Sequence, residues 1–501
     1  MKIKIFKYPI IVLAMLATVF SCTDDYLEVT PFGQPLTSNY YQNQEEAFNG
    51  LVAIYDKMNK NSGGFENIIA MMNSGSDDHL AGGGDSGDGT QLQVFSNYTL
   101  NGTTMAASFW NDTYQGIFRA NVLLQKLPEV PMDEDLKARY TAEAKSLRAY
   151  YYFILVRMFK NIPLITEPLG NDIYGVTQAN PEDVYNFMIQ DLTEAKQSLP
   201  DFLDPSEYGR ISKGAAQALL GKIYLYQGEN SLAASELAEV NGTPGATSKY
   251  GYKLMDNFGD LWTLDHKFNS ESIIEITHTN AAQFGDWGNV GGGSFEGNYL
   301  NVMTGPRSYA YKADPAPQIG EQWGFNVITQ DLYDVLKEDP RFEATILDMK
   351  ALEEAGAATY QHSYQNTGYF LNKFLATKDE ITELAGDVRL NYRQNTYAIR
   401  LADTYLMEAE ALGGNGARAQ ALLDAVRARV GLGSIPVSMD AIMKERRLEL
   451  AGEGHRWFDL VRTGQAATKL ADRGFVAGKH EIFPIPEGEL NNTQLVQNPN
   501  Y

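Results

Sequence analysis

Apolar residues recur at helical spacing along most of the chain. Ala47, Leu51, Ile54, Tyr55 and Met58 fall three and four apart, which predicts a helix starting near Gln44. Phe109 to Leu127 and Leu136 to Met158 are longer runs of the same kind. Pro128 ends the first, and Asp133 stands where the second needs an N-cap. Pro181 to Leu199 and Lys213 to Gln227 continue the pattern. Leu220, Gly221 and Tyr224 are followed by Ala233 and Leu237, the small-and-large spacing of a tetratricopeptide helical hairpin. Ile399 to Leu412 and Ala417 to Val430 form another helix pair, with an irregular turn at Gly413 to Gly416. A charge-dense helix is expected over Lys444 to Thr463. There Glu453, Arg456, Asp459 and Arg462 are three apart, while Leu448, Leu450, Trp457 and Leu460 can face a core. Exposed pairs of that kind contribute only about 0.2–0.5 kcal/mol each. The fold class is therefore mostly α, as a helical repeat array or a general bundle.

The helical period fails in two places. Asn73 to Gly89 is rich in glycine and aspartate and is expected to be an irregular surface loop. Gly251 to Arg341 sets aromatic residues in glycine, as at Gly285 to Gly288 and Gln322 to Gly324, and is expected to be an inserted, loop-rich lobe. Loops on a rigid scaffold are where binding residues concentrate.

The N-terminus adds an address. Lys2, Lys4 and Lys7 precede an apolar stretch from Pro9 to Phe20 that ends at Ser21-Cys22, the pattern of a secretory signal. The stretch is shorter than the roughly 20 residues that span a bilayer. Cys22 is the chain's single cysteine and lies at the exit of that signal, which resembles the lipidation site of bacterial lipoproteins. With only one cysteine, disulfides within the chain are excluded. Residues 1–21 are thus expected to be a leader, 22–38 a tether, 39–250 a helical region holding the 73–89 loop, 251–341 the loop-rich lobe, and 342–501 a second helical region. Removing the leader takes away three lysines and no acid, so the formal charge moves from −22 to −25. That balance argues against nucleic acid and anionic lipid as partners. Membrane contact then falls to the acyl chains on Cys22, each methylene contributing about 0.8 kcal/mol.

Enzyme signatures are sparse. The chain has no HExxH, GxSxG or CxxC, and its glycine runs lack the GxGxxG or GK[ST] spacing of phosphate loops. Asp77, Asp78, Asp85 and Asp88 miss the spacing of an EF-hand loop. A pair of carboxylates suited to a glycosidase can arise by chance among 63 acids, so a lipid-anchored hydrolase stays as an alternative. A sugar ligand suits the aromatics better: pyranose C–H faces stack on rings, and hydroxyls need polar partners. Trp287, Trp323, Tyr309 and Tyr311, with Arg307, Asn298, Asp77 and Asp78, are residues of the right types in the two loop regions. Tyrosine and tryptophan also pack at lobe boundaries, so each loop aromatic serves equally well as core. Trp110, Trp262 and Trp457 lie on apolar patterns and are assigned to packing.

Several stretches together resemble the SusD/RagB nutrient-binding lipoproteins. They are Cys22 with Asp24-Asp25, Trp110 to Ile117 with Ala120-Asn121, and Ala142 to Phe153 closing at Ile162-Pro163-Leu164. They continue through Val184-Tyr185, Gly209-Arg210, Arg400 to Leu406 and Arg446 to Gly464, and close at Phe483 to Pro486. The resemblance implies four tetratricopeptide-like helical hairpins carrying a loop-rich lobe, anchored by lipid in the outer membrane and exposed at the cell surface. It implies a binder that is not an enzyme and uses no cofactor. Such a protein captures an oligosaccharide, or in some members a peptide as in RagA/RagB-type importers, and delivers it to a SusC-like TonB-dependent β-barrel. It transfers regions rather than individual contacts: the 73–89 loop and the stretch from Trp287 to Trp323.

Overall fold

Capping side chains start four of the helices that the apolar period predicts. The computed structural model describes residues 40–169, 173–280, 296–380 and 387–501. Cys22, the leader, the tether and the Gly285 to Gly288 run with Trp287 lie outside the described residues. Helix α1 (Gln44–Tyr55) begins where the Glu46 N–H donates to Asn43 Oδ1 at 3.0 Å. Then come α2 (Ile68–Ser74), α3 (Thr90–Ser96) and α4 (Ala107–Lys126). The predicted cap at Asp133 is present: it accepts from the Leu136 N–H at 3.0 Å and opens α5 (Glu134–Phe159). Asn180 caps α6 (Pro181–Ala195), whose proline occupies the first position, where no N–H is needed. Ser212 starts α7 (Lys213–Gln227), Gly228 in left-handed conformation stops it, and α8 (Asn230–Asn241) follows.

Later helices are α9 (Gln330–Leu336), α10 (Leu401–Ala411), α11 (Gly416–Arg429), α12 (Met439–Glu449) and α13 (Arg456–Arg462). α4 packs on α1 and α5, α6 on α5 and α7, α8 on α7 and α10, and α10 on α11. The neighbours α1/α4, α5/α6, α7/α8 and α10/α11 thus form the row of four helix pairs expected of the repeat.

Strands fill the helix-poor parts in antiparallel pairs. β1 (His79–Gly82) joins β4 (Phe325–Ile328), and β2 (Ser272–Ile276) joins β8 (Thr396–Arg400). β3 (Ala310–Tyr311) joins β6 (Ala358–Thr359), and β5 (Ile346–Asp348) joins β7 (Tyr369–Leu371). Two corrections follow. Ile399 and Arg400 end a strand instead of starting a helix, so α10 begins at Leu401. The expected 444–463 helix is two helices, because Gly452 and Gly454 both sit at φ +80, a left-handed conformation that breaks the ladder.

That break turns the charges inward. Leu448, Leu450, Trp457 and Leu460 are buried as expected, with Trp457 stacked on Phe483 at 4.6 Å. The acids and bases, however, pair mostly with distant elements rather than along one exposed face. Arg400 Nη1 donates to Glu271 and Glu449, both at 2.7 Å, and Arg400 Nη2 to Glu453 at 2.8 Å. Arg341 reaches Glu445 at 2.7 Å and Glu449 at 2.9 Å, and Lys373 reaches Glu453 at 2.8 Å. A second group centres on Asp403, between Lys222 at 2.9 Å and Arg446 at 2.8 Å, and on Asp459, between Arg446 and Arg462. These side chains are almost wholly buried, so surface ion-pair energetics do not describe them.

Candidate ligand-binding site

The β1–β4 ladder brings the two glycine-rich regions together. Its register pairs His79 with Ile328, Leu80 with Val327, and Gly82 with Phe325. The Asn73 to Gly89 stretch is therefore not the irregular loop expected: it holds the end of α2, all of β1, and a turn into α3. Past the strand, the Gly83 N–H donates to the Gly324 carbonyl at 2.8 Å, and the Tyr364 N–H donates to the Gly83 carbonyl at 3.2 Å. Gly82 must be glycine here, since a Cβ would lie 2.3 Å from the Gly324 oxygen and its φ is +71.

Arg307 clasps the turn from the other side. Its Nη1 donates to Asp88 Oδ2 at 2.7 Å and to the Trp323 carbonyl at 3.1 Å, while Asp88 accepts the Gly84 N–H at 2.7 Å. Trp323 is half-buried, with its ring 6.4 Å from that of Phe65, which in turn meets Phe325 edge-on at 5.2 Å. Phe65, Trp323, Arg307 and Asp88 are thus brought to one place by four separate segments. Phe65 also walls an open cleft of about 630 Å³ that runs between the end of α1 and one face of α4. Sequence reasoning passed over Phe65, although Gly63-Gly64-Phe65 repeats the aromatic-in-glycine cue used elsewhere.

Other expected site residues have internal duties. Asp77 accepts from Arg456 Nε and Nη2, both at 2.7 Å, and Asp78 accepts from Arg447 Nε at 2.7 Å. Burial pushes Asp77 up, but Arg456 overrides it and leaves the carboxyl below its ordinary value. Burial prevails at Asp78, which Arg447 only partly offsets, and it is raised. Asn298 is fully buried, donating to the Gln394 carbonyl at 3.0 Å and accepting the Leu300 N–H at 2.9 Å. All three side chains thus make bonds within the fold. The Tyr309 hydroxyl donates to the Pro317 carbonyl at 2.6 Å, and its ring packs on the cluster holding Val327 and Phe370. The Tyr311 hydroxyl donates to Asp314 at 3.0 Å, and its backbone pairs with Ala358. Among the described candidates, Trp323 and Arg307 keep surface at the junction.

Two stretches match family models: residues 25–225 the one described as starch-binding and associating with the outer membrane, and residues 307–474 the SusD family. A solved laminarin binding SusD-like protein is 64% identical, with a TM-score of 0.91, covering 92% of this chain and 100% of that one. Surface glycan-binding protein A from Bacteroides thetaiotaomicron, solved in complex with laminarihexaose, is 26% identical with a TM-score of 0.80. That match covers 91% of this chain and 99% of that one. SusD-like protein P2 of Formosa agariphila is 25% identical, covering 99% of this chain and 100% of its own length.

Proposed function

The chain belongs to the SusD-like family, and from that premise we propose that it binds a laminarin-type glucan at the outer-membrane surface. The observation that carries the ligand class is the 64% identity to a laminarin binding relative along that relative's whole length. The junction of Phe65, Trp323 and Arg307 supplies fitting chemistry. Trp323 and Phe65 offer ring faces for the C–H faces of glucose units, and Arg307 has donors for their hydroxyls. Delivery to a SusC-like TonB-dependent barrel completes the reading, with acylated Cys22 as the anchor in the lipid leaflet. No step of bond making or breaking is needed: capture and release suffice.

Calorimetry of the purified protein against laminarihexaose, maltohexaose and a short peptide mixture tests this. Binding of laminarihexaose alone is expected. Trp323→Ala should weaken it roughly 30-fold or more, the loss of about 2 kcal/mol typical of a central aromatic anchor. Lack of binding to any glucan, with peptides found in the purified protein by mass spectrometry, would replace the glucan reading with a peptide one. Cys22→Ala should move the protein from the outer-membrane fraction to the soluble fraction with glucan affinity intact. Retention in the membrane would remove lipid as the anchor.

A further inference from the structure

The cleft beside Phe65 is a second polar surface that the aromatic junction does not use. Ser108, Asn111, Asp112 and Gln115 fall at i, i+3, i+4 and i+7 on α4 and line one wall, while Phe109, Trp110, Thr113 and Ile117 on the same helix face the core. Lys57 and Lys60, in the turn after α1, form the opposite wall. Both are held in place: Asp112 lies 3.6 Å from Lys57 Nζ and 3.5 Å from Lys60 Nζ, and their side chains are only 10% and 12% exposed. Lys60 also donates to Ser108 Oγ at 2.6 Å and lies over the Phe109 ring at 4.8 Å. Ser108 in turn donates to Glu66. Each ammonium carries three donors, and the ion pairs to Asp112 are long, so donors remain for hydroxyls within the cleft.

We propose that this cleft is an extension subsite that takes further neutral hexose units of the glucan beyond those stacked at Phe65 and Trp323. The inference rests on the glucan reading above and deepens it. The volume of about 630 Å³ suits a ligand segment. Phe65 lines both the cleft and the aromatic junction, so one chain can occupy both. The charges are mixed and balance: Lys57 and Lys60, with Arg119 on Asp56 at 2.8 Å, stand against Asp56, Glu66 and Asp112. Such a wall bonds hydroxyls in both senses and offers no surplus positive charge to sulfate esters or uronates. Side chains fixed before the ligand arrives lose little entropy on binding, which favours affinity.

Calorimetry of the detergent-solubilised full chain with laminaritriose and laminarihexaose tests the subsite. The hexaose should bind the unaltered chain more tightly, and a sulfated hexaose no better than the triose. Lys60→Met, Lys57→Met and Asp112→Asn should each weaken the hexaose about tenfold, as loss of a hydrogen bond to a charged group does, and leave the triose unchanged. Lys57→Met and Asp112→Asn keep the test valid if Lys60→Met fails to fold. Unchanged hexaose affinity in the folded variants overturns the subsite alone, as does tighter binding of the sulfated hexaose than of the neutral one. Failure of the unaltered chain to bind either neutral glucan overturns the glucan reading and the subsite with it.

Discussion

Glu449→Gln lowers the melting midpoint of the protein by roughly 3–5 °C, the largest stability loss expected from any single charge removed without loss of volume. Glu449 accepts from Arg341 at 2.9 Å and Arg400 at 2.7 Å, and pairs with Arg429 as well. Its side chain is fully buried, and although burial pushes its carboxyl up, the three arginines hold it well below its ordinary value. In the surrounding cluster Arg341, Arg400, Arg427, Arg429 and Lys373 balance Asp339, Glu271, Glu445, Glu449 and Glu453. Glutamine keeps the volume and leaves one positive charge uncompensated in the interior. Breaking a buried pair in this way costs about 3–5 kcal/mol. At about 2.1 cal/mol/K per residue, unfolding this chain carries an entropy near 1 kcal/mol/K, so each kcal/mol moves the midpoint about one degree. The exposed pair Lys253–Asp256, at 2.9 Å, serves as control, and Asp256→Asn should shift the midpoint by less than about 1 °C. Calorimetric scans of the two variants beside the parent decide it. A Glu449→Gln midpoint within a degree of the parent would mean that the cluster reorganises freely and does not fix the packing of α10, α11 and α12.

The same cluster marks where reading the sequence stops. Helices were legible because their causes are local: Asp133 caps α5, Pro181 opens α6, and the apolar period of Lys213 to Gln227 gives the bounds of α7. Partners across the fold are not local. Glu453 and Arg456 look like neighbours on one helix, yet Glu453 pairs with Arg400 and Lys373, and Arg456 with Asp77. Gly452 and Gly454 are a local breaker signal, but the period of charges running through them masked it. β1 was hidden for a related reason: four residues that include glycine gain strand character only from Phe325 to Ile328, far along the chain.

The site divided along the same line. That two glycine-rich regions are candidates for the site follows from composition, and Arg307 joins them through Asp88. Its individual contacts do not follow, because aspartate, asparagine and arginine suit a sugar hydroxyl and an internal ion pair equally well. Asp77, Asp78 and Asn298 each make contacts of the internal kind. The Ser108, Asn111, Asp112 and Gln115 stripe gains its meaning only from Lys57 and Lys60, which a distant turn places opposite it.

Acid weakens this protein before its ion pairs titrate, and His79 is a principal reason. Its side chain is 1% exposed in β1, and among the described residues neither ring nitrogen has a hydrogen-bond partner. Burial is the main force driving its pKa down to about 3, with Arg473, Arg447 and Lys373 adding to it and Asp77 opposing. Burial likewise brings His278, bonded to Ser62 Oγ at 2.7 Å, down to about 4. Both folded values lie below the ordinary value near 6.5, so between them the unfolded chain binds protons that the folded chain refuses. Stability from this source is complete above pH 6.5 and is lost as pH falls toward 4, at up to about 1.4 kcal/mol per pH unit for each histidine. Glu449, Glu453 and Asp403 are depressed carboxylates, and their contribution is lost only below the ordinary carboxylate range near 4. Asp191 and Glu275, raised by burial, act with the opposite sign as they take up protons. The midpoint should therefore fall by several degrees between pH 7 and pH 4.5. His79→Leu removes a buried group with two unsatisfied nitrogens, so it should raise stability at pH 7 by about 1–3 kcal/mol and flatten the decline below pH 6.5. A parent midpoint constant from pH 7 to 4.5, or a His79→Leu variant declining as steeply as the parent, would show that His79 is hydrated or paired in solution and that the acid sensitivity lies elsewhere.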